Sequence, residues 1–211
     1  MADGVRLLNI TKSFKKGKVR LPVLEAVSFS VKKGALLLLT GKNGSGKTTL
    51  LKIMAGLLLP DKGEVFLNDQ NPEAAKNEIG YLGSEERALY FTLTGRQNLE
   101  FFAALYGVKA GEIKARTEKL TERLKMEPYI DLPVEDCSLG MRQRLVVAKA
   151  LIHHPDICLF DEPLKGLDKE ARKIFTELLR FLMKNKKTII IATHNETDFK
   201  GLKFTVRELG R

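Results

Sequence analysis

The pattern of apolar and polar residues in the first part of the chain predicts short strands separated by turns. The predicted strands are Leu7–Ile10, Val27–Val31, Ala35–Thr40, Glu64–Leu67 and Ile79–Leu82. Gly17, Gly34 and Pro60 mark the turns that interrupt this series. Between the third and fourth strands, the segment Thr49–Leu58 has the apolar spacing of a helix.

From about Leu93 to Lys125 the pattern changes, because apolar residues recur there at helical spacing. The elements predicted beyond this region are the helix Ser138–Ile152, the strand Ile157–Phe160, the helix Lys169–Met183 and the strand Thr188–Thr193. This order predicts an α/β fold with a mixed, mostly parallel sheet, antiparallel strands near the N-terminus and a small helical subdomain. We expect a single domain over 1–211, with a core of 1–84 and 150–211 and a helical part of about 85–149.

Composition narrows the class of protein. The chain has 211 residues, enough for one domain with a substantial core, and its apolar runs fall far short of the roughly twenty residues that span a bilayer. The N-terminus lacks the apolar core of a signal peptide, so we expect a cytoplasmic protein. Cys137 and Cys158 have no spacing typical of a disulfide framework or a metal site.

The chain is basic, with 36 Lys and Arg against 26 Asp and Glu and a formal net charge of +10. Such an excess favours acidic partners, including nucleotides, nucleic acids and anionic membranes. The basic residues are scattered in small groups such as Lys15–Lys18 and Lys184–Lys187. A solvated basic surface is therefore favoured over a dedicated nucleic-acid face.

A glycine-rich segment carries the strongest chemical signal. Residues Gly41–Thr48 fit the pattern G-x-x-x-x-G-K-[ST] and lie between a predicted strand and a predicted helix. In such a loop the backbone N–H groups face phosphate oxygens, Lys47 reaches the β- and γ-phosphates, and the Thr48 hydroxyl holds Mg²⁺. The alternative, a turn without a ligand, explains the glycines but not Lys47 followed by two threonines.

Two adjacent carboxylates end a strongly apolar strand. Because strand side chains alternate, Asp161 and Glu162 point in different directions and suit different tasks. Asp161 is expected beside Thr48 at the Mg²⁺ site, and Glu162 is expected to orient the attacking water or accept its proton. The alternative is an exposed acidic strand end without a catalytic role.

Further polar groups stand where α/β proteins bind ligands. Ser138 is in the N-cap position of a predicted helix, where exposed N–H groups form an anion site. Gly166-Leu167-Asp168 and His194 follow predicted strands, at the edge where open parallel sheets bind ligands. Taken alone, each of these groups could be structural.

The order of these motifs resembles the ATP-binding cassette (ABC) ATPase family over essentially the whole chain. The corresponding segments are Gly41–Thr49 (Walker A), Cys137–Met141 (signature), Ile157–Glu162 (Walker B), Gly166–Asp168 (D-loop) and His194 (switch histidine). The resemblance implies a P-loop NTPase fold and a Mg²⁺-dependent ATP hydrolase, with ATP and Mg²⁺ as cofactors.

The resemblance also assigns expected roles to individual residues. Those expected to bind ATP are Phe14, Gly41, Lys42, Asn43, Gly44, Ser45, Gly46, Lys47, Thr48 and Thr49. Catalysis is expected from Glu162, His194 and Lys47, and metal binding from Thr48, Asp161 and Ser84. Phe14 matches the aromatic residue that stacks on adenine, and the alternative is a core phenylalanine in a strand.

In the ABC family, two cassettes pack head to tail and share their nucleotides. Ser138, Gly140 and Asp168 are therefore expected to contact the nucleotide of a partner cassette in trans. This chain carries one set of motifs, which implies a homodimer or a pair with a related ATPase.

The sequence departs from the family pattern at two places. Leu139 and Met141 replace the first Gly and the Gln of the signature, a form similar to that of ABC-2-type export ATPases. Ser84 stands where the family usually has a Gln that contacts Mg²⁺, and its shorter side chain is expected to reach the metal only through water.

These features predict an ATPase subunit on the inner face of the membrane, which energises a separate permease for export. The alternative is a soluble ABC protein that acts on nucleic acid or ribosomes. Such proteins carry either a long coiled-coil insertion or two cassettes, and neither feature is present in this sequence, so no nucleic-acid partner is expected. A non-catalytic regulator is disfavoured because Glu162 is intact.

Overall fold

The computed structural model of the protein describes residues 2–83 and 89–210, which group into two compact units. The first unit comprises Met1–Gly83, Asp156–Pro163 and Leu182–Arg211, and the second comprises Ser84–Pro155 and Leu164–Phe181. The sequence-based division instead assigns 164–181 to the core. The predicted boundaries between the ATPase core and the helical part remain a prediction.

Two sheets form the first unit. The strands are β1 (Asp3–Lys16), β2 (Val19–Lys32), β3 (Leu36–Thr40), β4 (Lys62–Leu67), β5 (Ile79–Leu82), β6 (Ile157–Asp161), β7 (Thr188–Ala192) and β8 (Thr205–Glu208). An antiparallel sheet has the order β2-β1-β4, and a parallel sheet has the order β5-β6-β7-β3-β8. The predicted α/β fold class is confirmed, with the N-terminal antiparallel strands in a sheet of their own.

The parallel sheet is apolar on both faces at its centre. Every residue of β3, β6 and β7 is buried, as expected for strands that read as continuous apolar runs. The edge strand β8 was not predicted, since all of its residues are exposed and its sequence Thr-Val-Arg-Glu has no apolar pattern.

The first hairpin is longer than predicted. Strands β1 and β2 have 14 residues each and pair through the turn at Gly17-Lys18. Apolar alternation had predicted only Leu7–Ile10 and Val27–Val31, because the residues near the turn are mostly exposed, including the apolar side chains of Phe14, Val19 and Leu21. Pairing with β4 ends at Thr11, so residues 12–24, here called the outer hairpin, form a two-stranded ribbon.

The helices are α1 (Lys47–Met54), α2 (Gly95–Leu105), α3 (Ala110–Arg123), α4 (Leu139–Leu151) and α5 (Lys169–Lys184). Helix α1 packs against β4, β6 and β7 and buries Leu50, Leu51, Ile53 and Met54 in the core of the first unit. It ends before the predicted Leu58, because Gly56 adopts a left-handed conformation with φ 72°.

In the second unit, α2 packs against α3 and α4. Thr94 begins α2 with a capping box, in which its hydroxyl accepts from the Gln97 amide. Gly95 lies where a Cβ atom would stand 2.7 Å from a methyl carbon of Leu145, so close approach of α2 and α4 requires glycine. Leu99 and Leu120 are buried as the predicted helical faces require.

Candidate nucleotide site

The phosphate loop connects β3 to α1 through backbone that excludes most side chains. Gly41 has φ 142°, and a Cβ atom there would stand 2.5 Å from the Leu209 carbonyl oxygen. Gly46 has φ 95° and forms the N-cap of α1, where a Cβ atom would meet Leu24 at 2.7 Å. These two glycines let the loop curl against the core and expose amides at the helix N-terminus.

Lys47 is buried and turned back onto the loop. Its ammonium group donates to the carbonyl of Gly41 at 2.7 Å and to that of Lys42 at 3.1 Å. The exposed residues Asn43 and Gly44 lie between these anchors and the helix. The ammonium group of Lys47 therefore lies inside the loop, where a positive charge favours an anionic phosphate.

Thr48 and Asp161 bring together a hydroxyl and a carboxylate. The Thr48 hydroxyl donates to Asp161 Oδ2 at 2.7 Å. Burial raises the pKa of Asp161, while the Thr48 hydrogen bond opposes that rise. Hard oxygen ligands of this kind suit Mg²⁺.

Glu162 lies one residue further and contacts His194. The Nδ1 atom of His194 lies 3.0 Å from both carboxylate oxygens of Glu162. Glu162 has φ 48°, and its amide donates to the Ala192 carbonyl at 2.9 Å. The turn after β6 therefore directs Glu162 toward the end of β7, whereas Asp161 faces Thr48.

The parallel sheet explains why these groups meet. Strands β6, β7 and β3 are neighbours, and parallel strands present their carboxyl ends at one edge. That edge carries Asp161, His194 and the loop that starts at Gly41. The predicted phosphate loop, acidic strand and histidine thus lie together in the first unit.

A cavity of about 420 Å³ that no sequence pattern predicts lies beside the loop. The residues that line it are Leu21, Pro22, Val23, Leu24, Glu25, Val27, Ser45, Leu209 and Gly210. Ser45 Oγ is buried there, and within residues 2–83 and 89–210 it has no hydrogen-bond partner. Leu209 and Gly210 line one side of the cavity and follow β8, which was not predicted. No sequence pattern therefore indicated that side of the cavity.

Two further expectations concern Phe14 and Ser84. Phe14 is 43% exposed. The alternative prediction, that Phe14 is a core residue of a strand, is therefore wrong. The Lys12 ammonium lies 5.7 Å from the centre of its ring. Ser84 lies outside the described residues.

The metal site depends on few protein ligands. In the part of the chain that the structure describes, no three His, Cys, Asp or Glu side chains group to hold a metal ion. Thr48 and Asp161 supply one hydroxyl and one carboxylate. This set fits Mg²⁺, which commonly takes one or two protein ligands and completes its shell with phosphate oxygens and water.

The signature segment begins α4 in the second unit. The Ser138 hydroxyl accepts from the Met141 amide at 3.3 Å and caps the helix, while Leu139 beside it is 67% exposed. Gly140 has open space around the position of a Cβ atom. The N-terminus of α4 is thus both capped and accessible.

The segment 166–168, which the family resemblance predicts to be the D-loop, lies beside the start of α4 in the same unit. A Cβ atom on Gly166 would be 3.7 Å from a methyl carbon of Leu139. Asp168 is exposed, and its carboxylate accepts from the Ala171 amide at 2.8 Å. Arg172 donates to the carbonyls of Leu167 and Leu164, which fixes the shape of this turn.

Comparison with known proteins gives consistent matches. The family model described as ABC transporter matches residues 24–165. The ABC transporter ATP-binding protein NatA of Bacillus subtilis is 39% identical over 202 residues, covering 94% of this chain and 82% of NatA. The Nod factor export ATP-binding protein I of Ralstonia nicotianae is 38% identical over 176 residues, covering 82% of this chain and 54% of that protein.

A solved structure matches nearly the whole chain. It is the dimeric post-hydrolysis state of the ATP-binding cassette MJ0796 bound to ADP and Pi. The TM-score is 0.88 at 26% sequence identity, and the match covers 97% of this chain and 94% of the other.

Proposed function

The chain belongs to the ABC transporter family, and on this premise we propose that it is the ATPase subunit of an exporter, in which it energises a separate permease. The protein binds and hydrolyses ATP with Mg²⁺. The observation that carries the proposal is the pair of contacts at one sheet edge, Thr48 with Asp161 and Glu162 with His194.

Each group at this edge has a role that fits its position. The loop amides and Lys47 bind the phosphates, and Thr48 and Asp161 hold the metal. Mg²⁺, when bound there, would offset the negative charge of the phosphates. Lys42, Asn43, Ser45 and Thr49 belong to the same phosphate-binding segment, and Phe14 stacks on adenine.

Hydrolysis requires a proton acceptor beside the terminal phosphate. A water oxygen attacks the γ-phosphorus, the bond to the β–γ bridging oxygen breaks, and Glu162 accepts the proton of the water. His194 orients the Glu162 carboxylate, because its Nδ1 atom lies 3.0 Å from both oxygens. The same histidine then detects the γ-phosphate.

A second cassette completes the site. Ser138, Gly140 and Asp168 lie on an accessible helix start and an exposed turn, where they can meet the nucleotide of another chain. The MJ0796 cassette, which is similar over 94% of its length, is dimeric with ADP and Pi. We propose a homodimer of this chain, with two nucleotides between the subunits.

The permease docks on an aromatic surface, which we define as the exposed residues Tyr90, Phe101 and Leu105 and the half-buried residues Phe102 and Tyr106. Phe101 lies 5.1 Å from Tyr90 and 5.3 Å from Phe102, measured between ring centres. Tyr90 and Phe101 are 51% and 43% exposed, and Leu105 is 65% exposed. Exposed apolar patches of this kind suit an amphipathic helix of a partner protein.

The direction of transport and the location follow from the same proposal. Export is supported by the relative from Ralstonia nicotianae, which is named as an export protein, and by the Ser-Leu-Gly-Met form of the signature. No helix among the described residues has both the length and the hydropathy to cross a membrane. The chain would therefore be held at the inner face of the membrane through the permease.

The test measures ATP hydrolysis by the purified chain alone, with the membrane protein encoded beside it in liposomes, and with DNA, RNA or ribosomes. We expect the membrane protein to stimulate hydrolysis severalfold. Nucleic acid is expected to bind weakly, in a salt-sensitive way, and to leave the rate unchanged. Stimulation by nucleic acid without stimulation by the membrane protein would establish the rival function.

A further inference from the structure

A single carboxylate links the outer hairpin to the turn that follows α1. Asp61 lies in that turn, and its Oδ2 atom accepts from the Ser13 amide at 2.9 Å and the Ser13 hydroxyl at 2.6 Å. The same oxygen accepts from the Arg20 guanidinium at 2.8 Å. Oδ1 accepts from the Lys12 ammonium at 3.2 Å. Asp61 thus binds residues of both strands of the hairpin.

The outer hairpin depends on such an anchor. Its pairing with the third strand ends where Thr11 meets Lys62, and the Asp61 amide donates to the Thr11 carbonyl at that point. Beyond it, among the residues that the structure describes, the two strands pair only with each other, and their register shifts on both sides of Lys12. Two-stranded ribbons are marginally stable in water. The Asp61 contacts therefore fix the direction in which the ribbon leaves the sheet.

Phe14 follows the anchored residue directly. Because Ser13 is held through both its amide and its hydroxyl, the backbone that carries Phe14 has little freedom. Lys12 is held as well, since it also donates to the Leu59 carbonyl at 2.8 Å, and its ammonium lies beside the Phe14 ring. A ring fixed before binding loses less conformational entropy when a base stacks on it.

We infer that Asp61 is a positioning residue for the nucleotide, which holds the outer hairpin so that the Phe14 ring forms a ready platform for adenine. The inference rests on the proposed function, because it requires ATP to bind with its base on Phe14. The side-chain hydrogen bonds of Asp61 go to Lys12, Ser13 and Arg20 on the outer hairpin, so Asp61 acts through the hairpin.

The Asp61 carboxylate keeps its charge at neutral pH. Hydrogen bonds from the Ser13 hydroxyl and from Arg20 hold the pKa of Asp61 well below its ordinary value. A carboxylate with a lowered pKa gives up its stabilising contribution only as the pH falls below its ordinary value toward the lowered one. The positioning effect is therefore constant at neutral pH.

The test compares two ligands by calorimetry. ADP carries the base and is not hydrolysed, whereas pyrophosphate lacks the base and reports on the phosphate loop alone. We expect Asp61→Asn to weaken ADP binding roughly 3- to 10-fold, with pyrophosphate binding unchanged. The matched control is Asp156→Asn, which removes a surface ion pair with Lys187 in the same unit and leaves both affinities unchanged.

A double-mutant cycle separates positioning from a general structural effect. Phe14→Ala should weaken ADP binding about 5- to 100-fold, and Asp61→Asn should add nothing in that background. The milder variant Arg20→Gln, at a side chain that is 65% exposed, keeps the test available if Asp61→Asn folds poorly. It should weaken ADP binding less than Asp61→Asn and leave pyrophosphate binding unchanged.

The outcomes are distinguishable. If Phe14→Ala leaves ADP binding unchanged, the adenine platform of the proposed function is wrong, and the positioning role fails with it. If Phe14→Ala weakens binding but neither Asp61→Asn nor Arg20→Gln does, only the positioning role is wrong. Equal weakening of ADP and pyrophosphate would mean that Asp61 supports the fold of the whole site rather than the platform.

Discussion

Glu162 adopts a backbone conformation that residues with a Cβ atom rarely take. Its φ of 48° places it in the left-handed region, at a cost of about 1–2 kcal/mol relative to ordinary backbone. The surrounding contacts hold it there, since its amide donates to Ala192 and its carboxylate meets His194. Such strain is typical of functional sites, and no sequence pattern reveals it.

The first prediction concerns the proton acceptor. Glu162→Gln keeps the shape of the side chain but removes its basicity, so turnover should fall by about 10²- to 10⁴-fold. ATP binding should be retained, because the loop and Lys47 are unchanged. Turnover is measured by phosphate release and binding by equilibrium dialysis, with the exposed Glu177→Gln on α5 as the matched control. Near-normal turnover of Glu162→Gln would assign the base to another group.

At the scale of elements, the sequence predicted what hydrophobic burial determines. Strands β3, β6 and β7 are buried apolar runs, and their positions were predicted to within about one residue at either end. Strand β8 and the outer hairpin were missed because they are exposed, and backbone pairing rather than burial forms them. The Asp61 contacts were missed for a related reason, since they join residues 41 to 49 positions apart.

The same limit applies to the site. The order of Gly41–Thr48, Asp161-Glu162 and His194 indicated the chemistry, because a parallel sheet brings the ends of its strands to one edge. The pairing of His194 with Glu162 depends on the turn after β6, and the cavity at Ser45 depends on Leu209. Both are products of tertiary packing and leave no local pattern.

Substitutions of Ser138, at the N-terminus of α4, can distinguish its role as a helix cap from its expected contact with a partner nucleotide. Ser138 caps the helix, and both Asn and Asp are good N-cap residues. Ser138→Asp should therefore keep the thermal stability of the chain while repelling a γ-phosphate of the partner site. In the Glu162→Gln background with ATP, we expect Ser138→Asp to remain monomeric in sizing experiments.

Ser138→Asn is the matched control for this prediction, because it caps the helix without a negative charge. It should lose much less of the ATP-dependent dimer than Ser138→Asp. The bulky variant Ser138→Arg should abolish the dimer by steric clash. Dimer formation by Ser138→Asp equal to that of the parent would place the signature helix away from the nucleotide and contradict the in-trans site.

For the whole molecule, one chain carries one set of complementary surfaces. The phosphate loop, Asp161 and Glu162 belong to the first compact unit, and Ser138 and Asp168 belong to the second. In a head-to-tail dimer, each chain supplies both sets once, which gives two equivalent nucleotide sites with closed symmetry. In the proposed dimer, ATP is part of the interface, so we expect ATP binding to assemble the dimer and hydrolysis to release it.

Transport requires that assembly and release of the dimer be transmitted to the permease. We expect the permease to contact the aromatic surface. Phe101→Asp places a charge at the centre of that surface and should weaken permease binding by roughly 30-fold or more, the effect of losing an interface residue worth about 2 kcal/mol. The measured quantity is the rate of ATP hydrolysis with the permease in liposomes, divided by the rate of the same variant without it. Val206→Asp, at a residue that is 44% exposed on β8, is the matched control and should keep full stimulation. If Phe101→Asp is stimulated as strongly as the control, the permease contacts another face and the aromatic surface has a different role.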